Sequence, residues 1–432
     1  MQNIIKGFSR LDKEEKIDRI TSMFTADAAK STALLNSYIH HDAAVQKVHD
    51  GFAENTLSNY FLPYGIAPNV MVNGRLYAVP MVIEESSVVA AASKAATFWA
   101  ERGGFKARVD GMEKKGQIHL YYRGDKSVFV EFFESNREAL LNAARPITEK
   151  MTARGGGISS FMLKDLTHVE DDYFQVDISA ITMDSMGANF INSTLECIAG
   201  EMKRLFKEQE VSGELDVIMC ILSNYTPDCV AHVEVEARVE DMAYAGMDGK
   251  TFAERFVRAV KMAELCVERA VTHNKGIMNG VDAVVLATGN DFRAVEACAH
   301  AYAAREGRYS SLSHAYIKDG VFCFWTDIPL ALGTVGGLTR LHPLASLSMD
   351  IMGHPSASEL MMITAAVGLA QNFGAVSSLV TSGIQRGHMK MHLNNILLSL
   401  GANDDQITAA KEFFKDRTVS HSAVAEFLER NK

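Results

Sequence analysis

A lysine and an aspartate bracket the segment THNKGIMNGVDAVVLATGND, residues 272–291. Lys275 lies near its start, Asp291 at its end, and an apolar run lies between them. A lysine in an apolar setting is costly unless paired, and a paired lysine can stabilise an oxyanion as it develops in a reaction. Read alone, a structural salt bridge or two solvated charges at element ends explain the pair at least as well. Glu85, in PMVIEESS, is a carboxylate in apolar surroundings at a strand-to-helix junction. Burial there would suit it to proton donation, whereas exposure would leave Glu84 or Glu85 as a helix-start charge.

Other stretches offer weaker chemistry. TMDSMGANF, residues 182–190, joins a strand to a long helix. Gly187 would admit a ligand to the backbone, and the free N–H groups and dipole of the helix favour a phosphate. A plain helix start with Asp184 as N-cap accounts for the spacing better. No G-x-G-x-x-G follows a strand, so a Rossmann domain is poorly supported. GTVGGLT, residues 333–339, is either a ligand-touching loop or a tight turn. His388 and His392, in QRGHMKMH, share a helical face but lack the intervening glutamate of a zinc helix. Surface histidines explain them better, with a proton-transfer role open to one of them. His40, His41, Asp42, His49 and Asp50 resemble a hydrolase metal cluster, yet the polar face of an exposed helix explains them more simply.

The elements that must position these residues follow from periodicity. Helices are expected over residues 10–50, after Glu85, and over FAERFVRAVKMAELCVERAVTHNKG; VDAVVLATG reads as a short strand or a buried helix. Between them the character changes. ARVDGM and QIHLYYRG suggest a hairpin, SVFVEFF a strand, and SNREALLNAARPITEKMTARGGG a helix capped by Ser135. ISSFMLKDL and YFQVDISAI follow as strands, then a helix with Ile191, Leu195, Ile198, Met202 and Leu205 on one stripe, then the strand LDVIMCIL. The order strand-helix-strand-strand-helix-strand is ferredoxin-like. The fold class expected is therefore α+β. A large, mostly helical unit (1–106 and 223–380) carries an inserted ferredoxin-like unit (107–222), and a small helical tail (381–432) has weak mutual burial.

Composition narrows the function. The 432 residues carry a net charge of -10, which argues against nucleic acid or an anionic membrane as partner. No apolar run approaches the roughly 20 residues of a bilayer span, and the charged N-terminus lacks a secretory h-region. Cysteines 197, 220, 229, 266, 298 and 323 form no C-x-x-C pair and read as reduced thiols of a cytosolic protein.

In order along the chain, PMVIEESSVVAAAS, DSMGAN, THNKGIMNG, ATGND, GTVGG and QRGHM resemble the 3-hydroxy-3-methylglutaryl-coenzyme A (HMG-CoA) reductase family, soluble prokaryotic class. The resemblance runs from about Phe8 to the tail. It implies reduction of the HMG-CoA thioester, through a thiohemiacetal and mevaldehyde, to mevalonate and coenzyme A in the mevalonate pathway of isoprenoid biosynthesis, or the reverse oxidation. It assigns catalysis to Glu85 as proton donor, Lys275 as oxyanion partner, Asp291 as the residue tying both into one network, and His388 as the acid for the departing thiolate. The apolar run would then place Lys275 and Asp291 at one site. It matches Ser87, Arg269, Thr272 and Asn279 to substrate contacts, and Asp184, Met186, Gly187, Asn189 and Asn224 to a dinucleotide site in the small domain.

The resemblance also implies a homodimer, with the active site at the subunit interface and the tail as a lid, and a requirement for no metal. Ser58, in ENTLS, replaces a glycine of the family pattern, a departure that bears on dimer packing near the site. Ser160, with Lys164 near, stands where NAD-preferring relatives carry an acid that repels a 2'-phosphate. NADP(H) is therefore favoured, with NAD(H) usable. Against this stand a metal-dependent hydrolase built on His40, His41 and Asp42, and a Schiff-base lyase built on Lys275.

Overall fold

The computed structural model describes residues 4–381, 393–415, 417 and 419–431. Within them the buried apolar side chains gather into three separate cores. An N-terminal arm of α1 (Lys13–Phe24), α2 (Ala28–Ser37) and α3 (Ala43–Asp50) buries little, with Ile17 and Thr21 its buried residues on α1 and none on α2. Ser58, the departure in ENTLS, donates its hydroxyl to the Leu35 carbonyl at 2.6 Å and so anchors the following chain to α2.

The first core lies around α13 (Ala357–Val380). α4 (Val88–Ala100), α8 (Gly249–Leu265) and α9 (Val267–Ala287) pack against it, as do the hairpin β1 (Tyr64–Val72)–β2 (Arg75–Val82) and a four-stranded antiparallel sheet. Asn73 and Gly74 both take positive φ in the hairpin turn, the pairing that an Asn-Gly two-residue loop favours. The sheet order is β3 (Lys106–Val109), β8 (Val230–Arg238), β10 (Val321–Pro329), β9 (Ser313–Lys318). Its inward positions, Val233 and Val235 of β8 and Phe322 and Phe324 of β10, are fully buried. α10 (Phe292–Ala303), α11 (Gly337–Leu341) and α12 (Pro343–Ile351) complete this unit.

The second core lies under β4 (Glu113–Arg123), β5 (Gly157–Asp165), β6 (Tyr173–Ile181) and β7 (Glu214–Ser223), with α5 (Lys126–Ala143), α6 (Arg145–Thr152) and α7 (Ala188–Glu208) packed on it. The sheet order β5-β6-β4-β7, antiparallel throughout, is the ferredoxin-like arrangement expected.

Several local expectations are corrected. SVFVEFF is helical, not a strand. α5 starts at Asp125, whose side chain caps Ser127 N, and Phe129, Phe132, Phe133, Asn136 and Leu140 form its buried face. The aromatic run suggested β structure, but the buried positions recur at helical spacing. Ser135 lies inside this helix rather than at its start. The hairpin between ARVDGM and QIHLYYRG does not exist: β3 pairs with β8 and β4 with β6 and β7, so Asp110–Met112 crosses from one sheet to the other. The first strand of the ferredoxin-like order is thus β4. The long helix expected over FAERF…THNKG breaks at Cys266, between α8 and α9.

The tail helices, residues 393–399 (α14), α15 (Asp404–Phe413) and α16 (His421–Arg430), share a core of Leu393, Ile396, Leu397, Phe414 and Phe427, more mutual burial than expected. Among the described residues one helix is both long and apolar enough for a bilayer: α13 has 24 residues, and 89% of its apolar window is buried inside the protein. It is a core helix, apolar on all sides because neighbours surround it.

Candidate active site

α9 carries the first half of the site. Arg269, Thr272, Lys275 and Asn279 recur at spacings of three and four and form one stripe along the helix. Glu85 reaches this stripe from the segment between β2 and α4. Its carboxylate accepts from the Lys275 ammonium and, at 3.4 Å, from the Asn279 amide. Neither Glu84 nor Glu85 caps α4, because Ser87 occupies the N-cap position, in the left-handed region at φ 75. A non-glycine residue held there is a strained backbone of the kind that gathers at functional sites. The expected burial of Glu85 is not supplied by this chain alone, since its side chain is 35% exposed.

The stripe is braced from behind. His273 bonds Ser313 Oγ at 2.6 Å, Ser313 Oγ donates to Asn372 Oδ1 on α13, and Asn274 donates to the Ser310 carbonyl. Burial first, and the Arg269 guanidinium second, push His273 down to about 3, so it stays neutral. Arg269 lies 3.4 Å from His273 Nδ1, and burial lowers its own value.

Asp291 is not part of this cluster. VDAVVLATG is the last stretch of α9, not a strand, so the helix carries the chain about 18 Å from Lys275 before it ends at Ala287. Asp291 is the N-cap of α10: its Oδ1 accepts from Arg293 N and Ala294 N and pairs with the Arg293 guanidinium at 3.0 Å. Among the described residues it makes no ion pair with Lys275. The expectation that one apolar run brings both residues to one site is therefore overturned within a single chain.

The second half surrounds Asp291. Asn290 makes a reciprocal pair with Gly333, its amide donating to the Gly333 carbonyl at 3.0 Å and Gly333 N donating to its Oδ1 at 2.8 Å. Gly333 lies against the turn 182–187, where a Cβ would meet Met186 N at 2.5 Å. Thr334 N donates to the Asp184 carbonyl at 2.8 Å, so GTVGG packs onto DSMG. Asp184 does not cap α7; its carboxylate accepts from Ala357 N at the start of α13, at 2.8 Å. α7 begins at Gly187, φ 92, with no side-chain cap, and a Cβ on Gly187 would meet Thr182 Cγ2 at 2.5 Å. A small cleft opens beside this turn, lined by Lys114, Met186, Leu222, Asn224, Ala294 and Cys298. Asn189 is exposed on the first turn of α7, and Ser160 lies on β5. Lys164, on the same strand as Ser160, is paired with Asp177 on the neighbouring strand.

Lys114 is the residue sequence reasoning missed. It is 1% exposed, and its position was readable: in EKKGQIHLYY it falls in phase with the inward residues Ile118, Leu120 and Tyr122. His388 and His392 lie outside the described residues. The His40–Asp42 segment has structural work instead. Asp42 caps α3 through Ala44 N and Val45 N, and the two histidine rings stack at 4.5 Å. The group of possible metal ligands found among the described residues is elsewhere, Asp110, His232 and Asp327. There His232 pairs with Asp327 at 2.7 Å and Asp110 with Arg108 at 2.8 Å.

The geometry thus gives a lysine–carboxylate pair on one element and a glycine-built turn at a helix start on another. Comparison with known proteins gives the family. The model of the hydroxymethylglutaryl-coenzyme A reductase family matches residues 15–393. The 3-hydroxy-3-methylglutaryl-coenzyme A reductase of Archaeoglobus fulgidus is 33% identical over 431 residues, spanning 100% of this chain and 95% of the relative. A probable reductase of Borreliella burgdorferi is 33% identical over 363 residues, 83% of this chain and 81% of the relative. The solved reductase of Streptococcus pneumoniae superposes with a TM-score of 0.73 at 33% identity, covering 99% of each chain. A structure of the class II enzyme from the same organism, bound to NADPH in open conformations, gives 0.72 at 35% identity, over 87% of this chain and 99% of that one. The chain belongs to the HMG-CoA reductase family and is an oxidoreductase acting on HMG-CoA.

Proposed function

We propose that this chain reduces HMG-CoA to mevalonate and coenzyme A with NADPH, NADH being usable, in a site shared by two copies of the chain. When bound, the reduced nicotinamide supplies one hydride to the thioester and one to the aldehyde. The residues present suit such a ligand: α7 offers uncapped N–H groups behind Gly187, and the cleft beside it carries the buried ammonium of Lys114. Asp184, Met186, Gly187, Asn189 and Asn224 would frame it, with Ser160 toward the 2'-phosphate.

Lys275 would hold the oxyanion that forms as each hydride arrives, with Glu85 giving that oxygen its proton. Substrate seated over the α9 stripe would complete the burial that Glu85 lacks alone. Arg269 suits the substrate carboxylate through its planar fork, with Ser87, Thr272 and Asn279 as polar partners. His388 would protonate the departing thiolate, carried in by a tail that closes as a lid.

The observation that carries the shared site is the length of α9: Lys275 stands near its middle and Asp291 beyond its far end, so they meet only if Asp291 comes from the second copy. Uncovered apolar surface supports this. Leu341, Leu344, Leu347 and Ile351 line the α11–α12 side near Asp291, and Met262, Leu265, Val267 and Val271 flank the start of α9, all exposed. We also infer the organisation 1–106 with 223–380, 107–222 and 381–432. The first boundary moves past Val109, because β3 belongs to the larger sheet. The protein is placed in the cytoplasm, where its cysteines stay reduced. Purified protein with HMG-CoA and either nucleotide tests the proposal: absorbance loss that requires HMG-CoA supports it, and no oxidation with either nucleotide refutes it.

A further inference from the structure

Lys114 is a lysine where the strand pattern calls for an apolar residue. β4 alternates inward and outward, and its inward side reads Lys114, Gly116, Ile118, Leu120, Tyr122. Gly116 has room only for hydrogen, since a Cβ there would meet Ile191 Cγ2 at 2.4 Å. That close approach draws the first turn of α7 onto β4 and brings Lys114 under the turn 182–187. The ammonium donates to Thr182 Oγ1 at 2.6 Å and to the Ser185 carbonyl at 2.9 Å, both neutral acceptors. Among the described residues no carboxylate lies within ion-pair distance of it. Burial lowers its proton affinity, an effect that Cys229 and the more distant Asp184 carboxylate offset only in part. A buried cation with no direct ion pair is a poor structural device, because its desolvation is only partly repaid. It becomes useful where an anion arrives, and Lys114 lines the cleft that also holds Met186 and Asn224.

We propose that Lys114 is the positioning residue of the dinucleotide half, fastening the turn 182–187 in its receptive shape and presenting a buried positive charge to the diphosphate of the ligand. The inference rests on the reading of that turn as the dinucleotide site. Its reach extends further through contacts already described: the same turn packs on Gly333, and Gly333 is bonded to Asn290, the neighbour of Asp291. Through this chain the shape held by Lys114 also sets the backbone beside Asp291.

Calorimetric titration of the full-length protein with NADP+ and, separately, with coenzyme A tests the proposal. Lys114→Met removes both the charge and the two hydrogen bonds; Lys114→Gln removes the charge and keeps donors for Thr182 and Ser185. NADP+ affinity is expected to fall by at least about 10-fold in Lys114→Met and by a smaller factor in Lys114→Gln, with coenzyme A affinity unchanged in both. Unchanged NADP+ affinity in Lys114→Gln together with a loss in Lys114→Met removes the charge role and overturns the proposal. Equal losses for both ligands in Lys114→Gln overturn it as well, since they report general damage; Lys114→Gln alone decides if Lys114→Met fails to fold. The double variant Asn189→Ala, Asn224→Ala separates the premise: if it leaves NADP+ binding intact, the dinucleotide lies elsewhere and the functional reading fails. If it weakens NADP+ while both Lys114 variants bind normally, the Lys114 proposal fails alone.

Discussion

The two halves of the site are built by different means. The α9 half is a stripe of side chains on one rigid helix, with Glu85 brought against Lys275 and a polar brace of His273, Ser313 and Asn372 behind it. The half around Asp291 is built mainly of backbone. Turn 182–187, Gly333 and Asn290 interlock through carbonyls and amides, and glycines stand where a Cβ would collide. A side-chain site tolerates motion of the chain behind it but fails when one functional group is lost. A backbone site has few groups to lose and fails when its packing changes.

The sharpest way to break this comparison is to cripple each half in a separate chain. Lys275→Ala is expected to lower turnover by about 10²-fold or more, and Asp291→Asn to be similarly inactive. If the halves meet across a dimer, co-expressing the two variants restores about a quarter of wild-type activity, since half of randomly formed dimers are hybrids and each hybrid keeps one intact site. No recovery would place both residues in one chain and undo the shared site. His388→Gln is expected to slow the full thioester reaction by about 10²-fold while sparing reduction of free mevaldehyde; equal losses with both substrates would remove its role as the thiolate's acid.

The dinucleotide half should respond through preference rather than rate. Ser160→Asp is expected to raise kcat/KM with NADH relative to NADPH, and an unchanged ratio would sink the role given to Ser160. The smallest effect concerns the brace. His273 is held near 3 in the folded chain, against about 6.5 when unfolded. The unfolded state therefore binds more protons between those values, so this contribution is complete above pH 6.5 and is lost as pH falls, by about 2 kcal/mol at pH 5. Thermal melts from pH 7 to 5 should show a shallower decline for His273→Gln; an identical decline would assign the acid sensitivity to other groups.

This division also explains what could be read in advance. Lys275 and Glu85 stood out as charges in apolar stretches, Arg269 and Asn279 entered only through the family resemblance, and the small sheet was legible because its strands alternate. Asp291 was misplaced because VDAVVLATG carries no period that separates strand from buried helix, and the answer sets whether its ends lie together or far apart. The interlock of Gly333 with Met186 was invisible, since a backbone contact between residues so far apart in sequence leaves only a glycine as its trace. Lys114 was overlooked for the opposite reason: it sits in phase with an apolar face, but a charge there looks like surface until the strand's direction is known.

The central helix α13 has a consequence for how the protein is made. It is the last long element of the largest core, whose other members begin as early as Ala67. During synthesis from the N-terminus, the hairpin, both sheets and α9 all emerge before the helix they close around. Until α13 leaves the ribosome, Trp99 lacks its partner Phe373 and Val281 its neighbour Gly368, so the core is completed only after that helix emerges. The chain's exposure to aggregation is therefore concentrated in the nascent state, and chaperone demand should fall away once α13 has been delivered.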